Sequence, residues 1–253
     1  MKKTVEPLIV VKDLSLAYGD TPVVRNANFT INQGDIFVIM GLSGSGKSTI
    51  MRSMVGLLRP TRGHIFIDGT DMWAVDADAR AKIVGGFGVS FQSGALFSSM
   101  TIGENVALPI ELKTELSQKE ISARVQQKLK IVGLDGAENL YPTEVSGGMI
   151  KRAALARALI NNPDILFFDE PSAGLDPVRS AELDELIVNI NHRDGTTVVM
   201  VTHELSTIMS IATNSVYLDA SSRTIAAVGA PKQIIKTTKN PRIIEFLGGG
   251  QRG

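Results

Sequence analysis

Gly41-Leu42-Ser43-Gly44-Ser45-Gly46-Lys47-Ser48 reads GLSGSGKS and fits the phosphate-binding pattern G-x-x-x-x-G-K-[ST]. Its flanks suit that reading. Before it, Ile36 to Met40 (IFVIM) is a short apolar run of strand type; after it, Ser48 to Leu58 (STIMRSMVGLL) has helical spacing. A strand, a glycine-rich turn and a helix N-terminus together cradle an anion. Backbone N–H groups point at phosphate oxygens, and the helix dipole adds partial positive charge. Gly41, Gly44 and Gly46 let the backbone approach without a Cβ in the way. Lys47 is placed to reach the β- and γ-phosphates, and the Ser48 hydroxyl to hold Mg²⁺.

Outward from this loop, other apolar runs end in polar candidates. Phe87 to Phe91 (FGVSF) is strand-like and ends at Gln92; Ile165 to Phe168 (ILFF) ends at Asp169-Glu170; Thr197 to Val201 (TVVMV) ends at Thr202-His203-Glu204. In a parallel sheet the C-terminal ends of all these strands share one edge, where ligands bind. Asp169 is expected to face the metal held by Ser48. Glu170 points the other way and is a candidate to orient or deprotonate water. His203 reads as a polar sensor or as a core histidine. Val145-Ser146-Gly147-Gly148-Met149 supplies a second helix start suited to an anion. Ser146 is a good N-cap, and MIKRAALARALI is a strong helix former. Two glycines in the first turn make sense where something approaches the backbone closely.

Residues 8 to 31 read as strands with a turn at Gly19-Asp20, and Gly63 to Gly69 as another. Tyr18, just before the first turn, is strand filler or a stacking platform for a flat base. His64 has no obvious partner. Residues 93 to 111 read as irregular chain exposing Leu96, Phe97, Met100 and Ile102, a candidate docking surface. Residues 117 to 132 carry a helical stripe of Ile121, Val125, Leu129 and Val132. Ser172 to Pro177 is a turn, and Val178 to Ile190 a helix with Leu183, Leu186, Ile187 and Ile190 inward. Val216 to Leu218 and Thr224 to Val228 read as a closing hairpin, Pro231 to Lys236 as a short helix, and 237 to 253 as a polar tail.

The composition of the 253 residues, 43% apolar and 21% charged with no net charge, suits a packed core and gives no support for nucleic-acid binding. No cysteine is present, so disulfides and thiolate metal sites are excluded. The N-terminal apolar run is interrupted by Glu6, Pro7, Lys12 and Asp13, unlike a signal peptide. No apolar run reaches the ~18 residues of a membrane span, so membrane association is expected to go through a partner.

This constellation resembles the ATP-binding subunits of ABC transporters, over nearly the whole length. GLSGSGKS resembles the Walker A motif and ILFFDE the Walker B motif with its catalytic glutamate. VSGGM resembles the family signature, SAGLD the D-loop, Gln92 the Q-loop, His203 the switch histidine and Tyr18 the adenine-stacking aromatic. The resemblance implies an α/β P-loop NTPase of the ABC ATPase type. It would have a RecA-like parallel-sheet core, an antiparallel β-subdomain and a helical subdomain at roughly 93–162, in a single domain over 1–253. It further implies that ATP is held by Tyr18, Gly41, Ser43, Gly44, Ser45, Gly46, Lys47, Ser48, Thr49 and Gln92. Ser146, Gly147, Gly148, Met149 and Asp176 would complete the site. Mg²⁺ would sit on Ser48, Gln92 and Asp169, with Glu170, His203 and Lys47 as catalytic groups. In the family two subunits face head to tail, so Ser146 to Met149 of one copy serves the P-loop of the other.

Met149 replaces the usual Gln, and a thioether donates no hydrogen bond. SGGM, FQSGALF at 91–97 and PRIIEFL near the C-terminus are similar to ATPases of MCE-type lipid transporters, such as the Mla phospholipid system. That likeness implies permease subunits, an MCE-domain protein, in some systems a STAS-domain regulator, and a place on the cytoplasmic face of the inner membrane. Against rival classes, no N-K-x-D motif marks a GTPase. Nor do zinc cysteines or coiled-coil insertions mark a DNA-repair or translation ATPase. A different transported cargo stays open at this level, because the ATPase does not touch it.

Overall fold

A computed structural model describes residues 7–112 and 114–248. The chain opens with two long strands, β1 (Pro7–Tyr18) and β2 (Thr21–Asn32), followed by β3 (Ile36–Met40) and helix α1 (Lys47–Met54). β4 (Arg62–Ile67), the two-residue β5 (Thr70–Asp71) and α2 (Ala77–Gly85) lead into β6 (Phe87–Ser90). Three helices follow: α3 (Ile102–Glu111), α4 (Gln118–Ile131) and α5 (Gly147–Leu159). The chain then alternates β7 (Ile165–Asp169), α6 (Pro177–Asp194), β8 (Thr197–Val201) and α7 (Leu205–Ile211). It closes with the hairpin β9 (Asn214–Asp219) and β10 (Thr224–Val228), then α8 (Pro231–Thr237) and α9 (Pro241–Leu247).

Among the described residues, the strands form a six-stranded sheet of order β10-β9-β3-β8-β7-β6 and a four-stranded sheet of order β2-β1-β4-β5. β9, β3, β8, β7 and β6 run parallel, with β10 antiparallel at one edge. The smaller sheet is antiparallel throughout. This is an α/β P-loop NTPase architecture, as the strand–turn–helix around Gly41 implied.

Period-two alternation explains how the large sheet holds two cores. In β3, Ile36, Val38 and Met40 face the helical side, where they pack with α5 and α6 residues such as Leu155, Leu183 and Ile187. Phe37 and Ile39 face the other way, among Ile50 and Met54 of α1 and Ile9 and Phe29 of the antiparallel sheet. The Phe29 and Phe37 rings stack there at 5.5 Å. Because both faces are covered, strands β3, β7 and β8 are buried along their whole length, which is why they read as continuous apolar runs rather than alternating ones.

Some sequence expectations change. The segment 93–111 is irregular only as far as Thr101, and α3 begins at Ile102. Thr101 and Glu104 form a capping box, and Ile102 is buried rather than presented to a partner. Phe97 does stay exposed. Asn105, fully buried, organises the preceding loop: its Oδ1 accepts from the Phe97 N–H, and its Nδ2 donates to the carbonyls of Phe97, Met100 and Thr101. His64 is not alone either, since its Nδ1 lies 2.7 Å from Asp71 Oδ2. The polar tail contains α9, whose Ile243 and Leu247 are buried. The Phe246 ring meets Tyr217 of β9 edge-on at 5.3 Å, and Arg242 pairs with Asp219 at 2.9 Å. This stretch therefore packs on its own sheet. Residues 249–253 lie outside the described residues.

Candidate functional site

Strand order decides which candidates become neighbours. β8 lies between β3 and β7, and β6 flanks β7. Reading along the C-terminal edge, one meets the 41–48 loop, then His203, then Asp169 and Glu170, then Gln92.

The loop's conformation depends on its glycines. Gly41 has φ 150°, and a Cβ there would lie 2.5 Å from the Leu218 carbonyl oxygen of β9. Gly46, the N-cap of α1, has φ 105°, and a Cβ would meet Val23 of β2 at 2.8 Å. Neither position accommodates a larger residue without moving backbone or packed side chains. Ser43 and Gly44 are exposed at the loop's tip, while Ser45, Lys47 and Thr49 are buried. The Lys47 ammonium donates to the Leu42 carbonyl at 3.0 Å. Burial lowers its pKa, and the carboxylates of Glu170 and then Asp169 oppose that shift, so a buried cation is held at the mouth of the cradle.

Ser48 Oγ donates to Asp169 Oδ1 at 2.8 Å across 121 residues of sequence. Glu170 adopts φ 51°, a left-handed conformation that costs a side-chain-bearing residue roughly 1–2 kcal/mol. Its N–H donates to the Val201 carbonyl of β8 at 2.8 Å. One carboxylate oxygen, Oε1, lies 2.8 Å from His203 Nδ1. The other, Oε2, is buried without a hydrogen-bond partner among the described residues, as are Ser45 Oγ and Ser172 Oγ. Each such orphan costs about 1–3 kcal/mol, so the edge is built for a polar guest. Among the described residues no group of three or more His, Asp or Glu could hold a metal by itself. Ser48, Asp169 and Gln92 therefore suit a cation that takes its remaining oxygens from a phosphate ligand.

Gln92 and Asp169 share a groove of about 750 Å³ with Arg52, Phe91, Gly147 and Lys151. Tyr18 is exposed at the end of β1, and its hydroxyl accepts from Arg52 Nη1 of α1 at 3.1 Å. Its hydroxyl is thereby tied to the last turn of α1.

The second helix start is that of α5. Ser146 caps α5 by accepting from the Met149 N–H at 3.3 Å. It shares a pocket with Gly148, Met149, Leu175 and Arg179, and no residue of the 41–48 loop lines that pocket. A Cβ on Gly147 would meet open space, so packing within the chain does not require that glycine. Asp176 caps α6, accepting from the Val178 and Arg179 N–H groups at 3.1 and 3.0 Å. The Arg179 N–H bond holds its carboxyl below the usual range.

Two participants went unread in the sequence. Lys151 donates to the carbonyl oxygens of Gln92 and Glu170, yet inside the helix former MIKRAAL it looks like a solvated lysine. Arg52, on α1, reads the same way. No local signal marks either, because each partner lies on another element.

A family model described as "ABC transporter" matches residues 24–173, more than half of the chain, across the phosphate loop, the signature and the carboxylate strand. The chain belongs to the ABC transporter family. As an ABC ATPase it binds and hydrolyses ATP as part of a transporter. Relatives cover nearly all of it. It is 41% identical over 245 residues to the probable ribonucleotide transport ATP-binding protein mkl of Mycobacterium leprae, spanning 97% of this chain and 70% of the relative. It is 37% identical to the intermembrane phospholipid transport ATP-binding protein MlaF of Escherichia coli K12, over 98% of this chain and 91% of MlaF. Among solved structures, the dimeric bacterial cassette MJ0796 superposes with TM-score 0.80 at 33% identity, covering 87% of this ABC ATPase and 97% of that chain. A dimeric post-hydrolysis state of MJ0796 bound to ADP and Pi gives 0.78 at 32% identity, with the same coverage. Among the described residues no helix is long and apolar enough to cross a membrane.

Proposed function

We propose that this ABC ATPase powers phospholipid transport between membranes. It would work as a head-to-tail homodimer beneath integral-membrane permease subunits, with an MCE-domain protein handling the lipid, peripherally at the cytoplasmic face of the inner membrane. The likeness to MlaF over nearly both full chains supports the cargo. The open space in front of Gly147 supports the dimer, since nothing in this chain approaches that backbone closely and a second copy's nucleotide can. The dimeric state of MJ0796 agrees with that. We take 1–253 as one ATPase domain, with the helical subdomain at roughly 93–162.

The observation that carries the chemistry is the Glu170 carboxylate, one oxygen held by His203 and the other buried without a hydrogen-bond partner among the described residues. Bound ATP with Mg²⁺ supplies a phosphoryl group whose transfer to water needs charge neutralisation and an aligned nucleophile. Gly41 to Thr49 wrap the phosphates, and Lys47 places its cation beside them. Ser48, Asp169 and Gln92 hold the metal. Tyr18 stacks on the base. Asp176, Ser146, Gly147, Gly148 and Met149 complete the partner's site. His203 keeps Oε1 engaged, so Oε2 is left to accept the water's proton, a role worth roughly 10²- to 10⁴-fold in rate.

Glu170→Gln tests this directly. It should bind ATP, hydrolyse it slowly and accumulate as an ATP-bound dimer in the assembly; normal turnover places the base elsewhere. Co-purification from native membranes tests the cargo. A permease, an MCE-domain protein and bound phospholipid are expected, with or without a small STAS-domain subunit. A nucleoside-binding receptor in their place would move the cargo to the ribonucleotide class named for the mycobacterial relatives.

A further inference from the structure

Lys151 sits in the second turn of α5, the helix that Ser146 starts. Its ammonium donates at 2.5 Å to the carbonyl of Gln92, 59 residues away, and at 3.4 Å to the carbonyl of Glu170, 19 residues away. Those carbonyls follow the neighbouring parallel strands β6 and β7. One side chain therefore joins the signature helix to two loops of the sheet edge.

The contact to Glu170 falls where it matters. The Glu170 N–H is held by Val201, which steadies the peptide plane before its Cα. The Glu170 carbonyl accepts from the Ala173 N–H at 3.2 Å and from Lys151, which steadies the plane after it. With both planes held, the left-handed backbone at φ 51° is maintained, and the carboxylate stays within reach of His203. A lysine suits this geometry, since its three donors on a long stem can serve two carbonyls at once. Glutamine is shorter and uncharged. Arginine retains charge, reach and several donors.

We propose that Lys151 is a positioning residue for hydrolysis. It ties the signature helix to the Gln92 and Glu170 loops, and so aims the Glu170 carboxylate from the same chain whose signature serves the partner's nucleotide. This rests on the reading of Glu170 as the base.

The test compares Lys151→Gln, Lys151→Arg, Glu170→Gln and the double variant Lys151→Gln/Glu170→Gln in the full chain. It measures steady-state ATP hydrolysis, MANT-ATP binding by fluorescence, and thermal midpoint. Lys151→Gln should lower kcat by about tenfold or more, with KM and MANT-ATP affinity within about twofold, the signature of a lost contribution to the transition state. Lys151→Arg should recover most of the rate. In the double variant Lys151→Gln should add little, because the two residues act as one unit. A wild-type kcat in Lys151→Gln beside a slow Glu170→Gln overturns the tie alone. Wild-type turnover in Glu170→Gln instead overturns the base assignment. A raised KM at unchanged kcat makes Lys151 a nucleotide contact, and equal losses in Lys151→Gln and Lys151→Arg with a lowered midpoint make it a folding contact; either result overturns the proposal.

Discussion

At Lys47, burial and function pull against each other. The ammonium loses hydration, which lowers its pKa, and the carboxylates of Glu170 and Asp169 oppose that shift. Lys47→Ala removes the cation that a triphosphate needs while leaving the backbone cradle, so ATP turnover should fall to background in a phosphate-release assay. Asp184 of α6 shows the opposite imbalance. It is buried, and desolvation outweighs the hydroxyls of Thr207 and Ser210, pushing its pKa to about 6. The folded value lies above the ordinary one, so protonation favours folding. That contribution is complete below about pH 4 and is lost as pH rises through 6. Asp184→Asn removes the charged form and should stabilise the chain at pH 7.5 by about 1–2 kcal/mol, with little gain at pH 4. Thermal midpoints at the two pH values check this; an equal gain at both would locate the effect in packing instead.

Helices here begin where a side chain meets the orphan N–H groups. α3, α4, α5 and α6 start at Thr101, Ser117, Ser146 and Asp176, each accepting from the first turn. For α4 and α6 the start falls within a residue of the sequence reading. α3 was not expected, although Thr101 and Glu104 have the spacing of a capping box. Thr101→Ala should cost about 1 kcal/mol by loss of the cap. Asn105→Ala should cost more, about 3 kcal/mol, since four backbone groups of the 97–101 loop lose their partner. Urea midpoints at constant slope give both values, and a smaller loss for Asn105→Ala would show that the loop is not held by that side chain.

At the scale of the whole molecule, one chain presents two helix starts with the sequence of anion sites, those of α1 and α5. On the proposed reading the second copy unites them. Ser146→Arg places a long cation at the start of α5 without touching the 41–48 loop. It should block turnover while MANT-ATP still binds the loop. Loss of binding itself would argue against a site shared between subunits.

The phosphate cradle, the carboxylate pair at the end of β7, the Ser146 cap of α5 and the helical stripes of α4 and α6 were determined by the sequence alone. Each is a local device, in which backbone amides, a φ that glycine tolerates or a hydroxyl placed before a helical stripe lie within a few residues of one another. The tertiary structure alone decided which strand ends stand side by side. The Ser48–Asp169 bond, the Glu170–His203 pair, the reach of Lys151 to Gln92 and the return of α9 onto β9 span 121, 33, 59 and about 29 residues in turn. Such contacts follow from sheet order and from how the elements pack against one another. Local periodicity carries no record of either, because a strand reads the same whichever neighbour it takes.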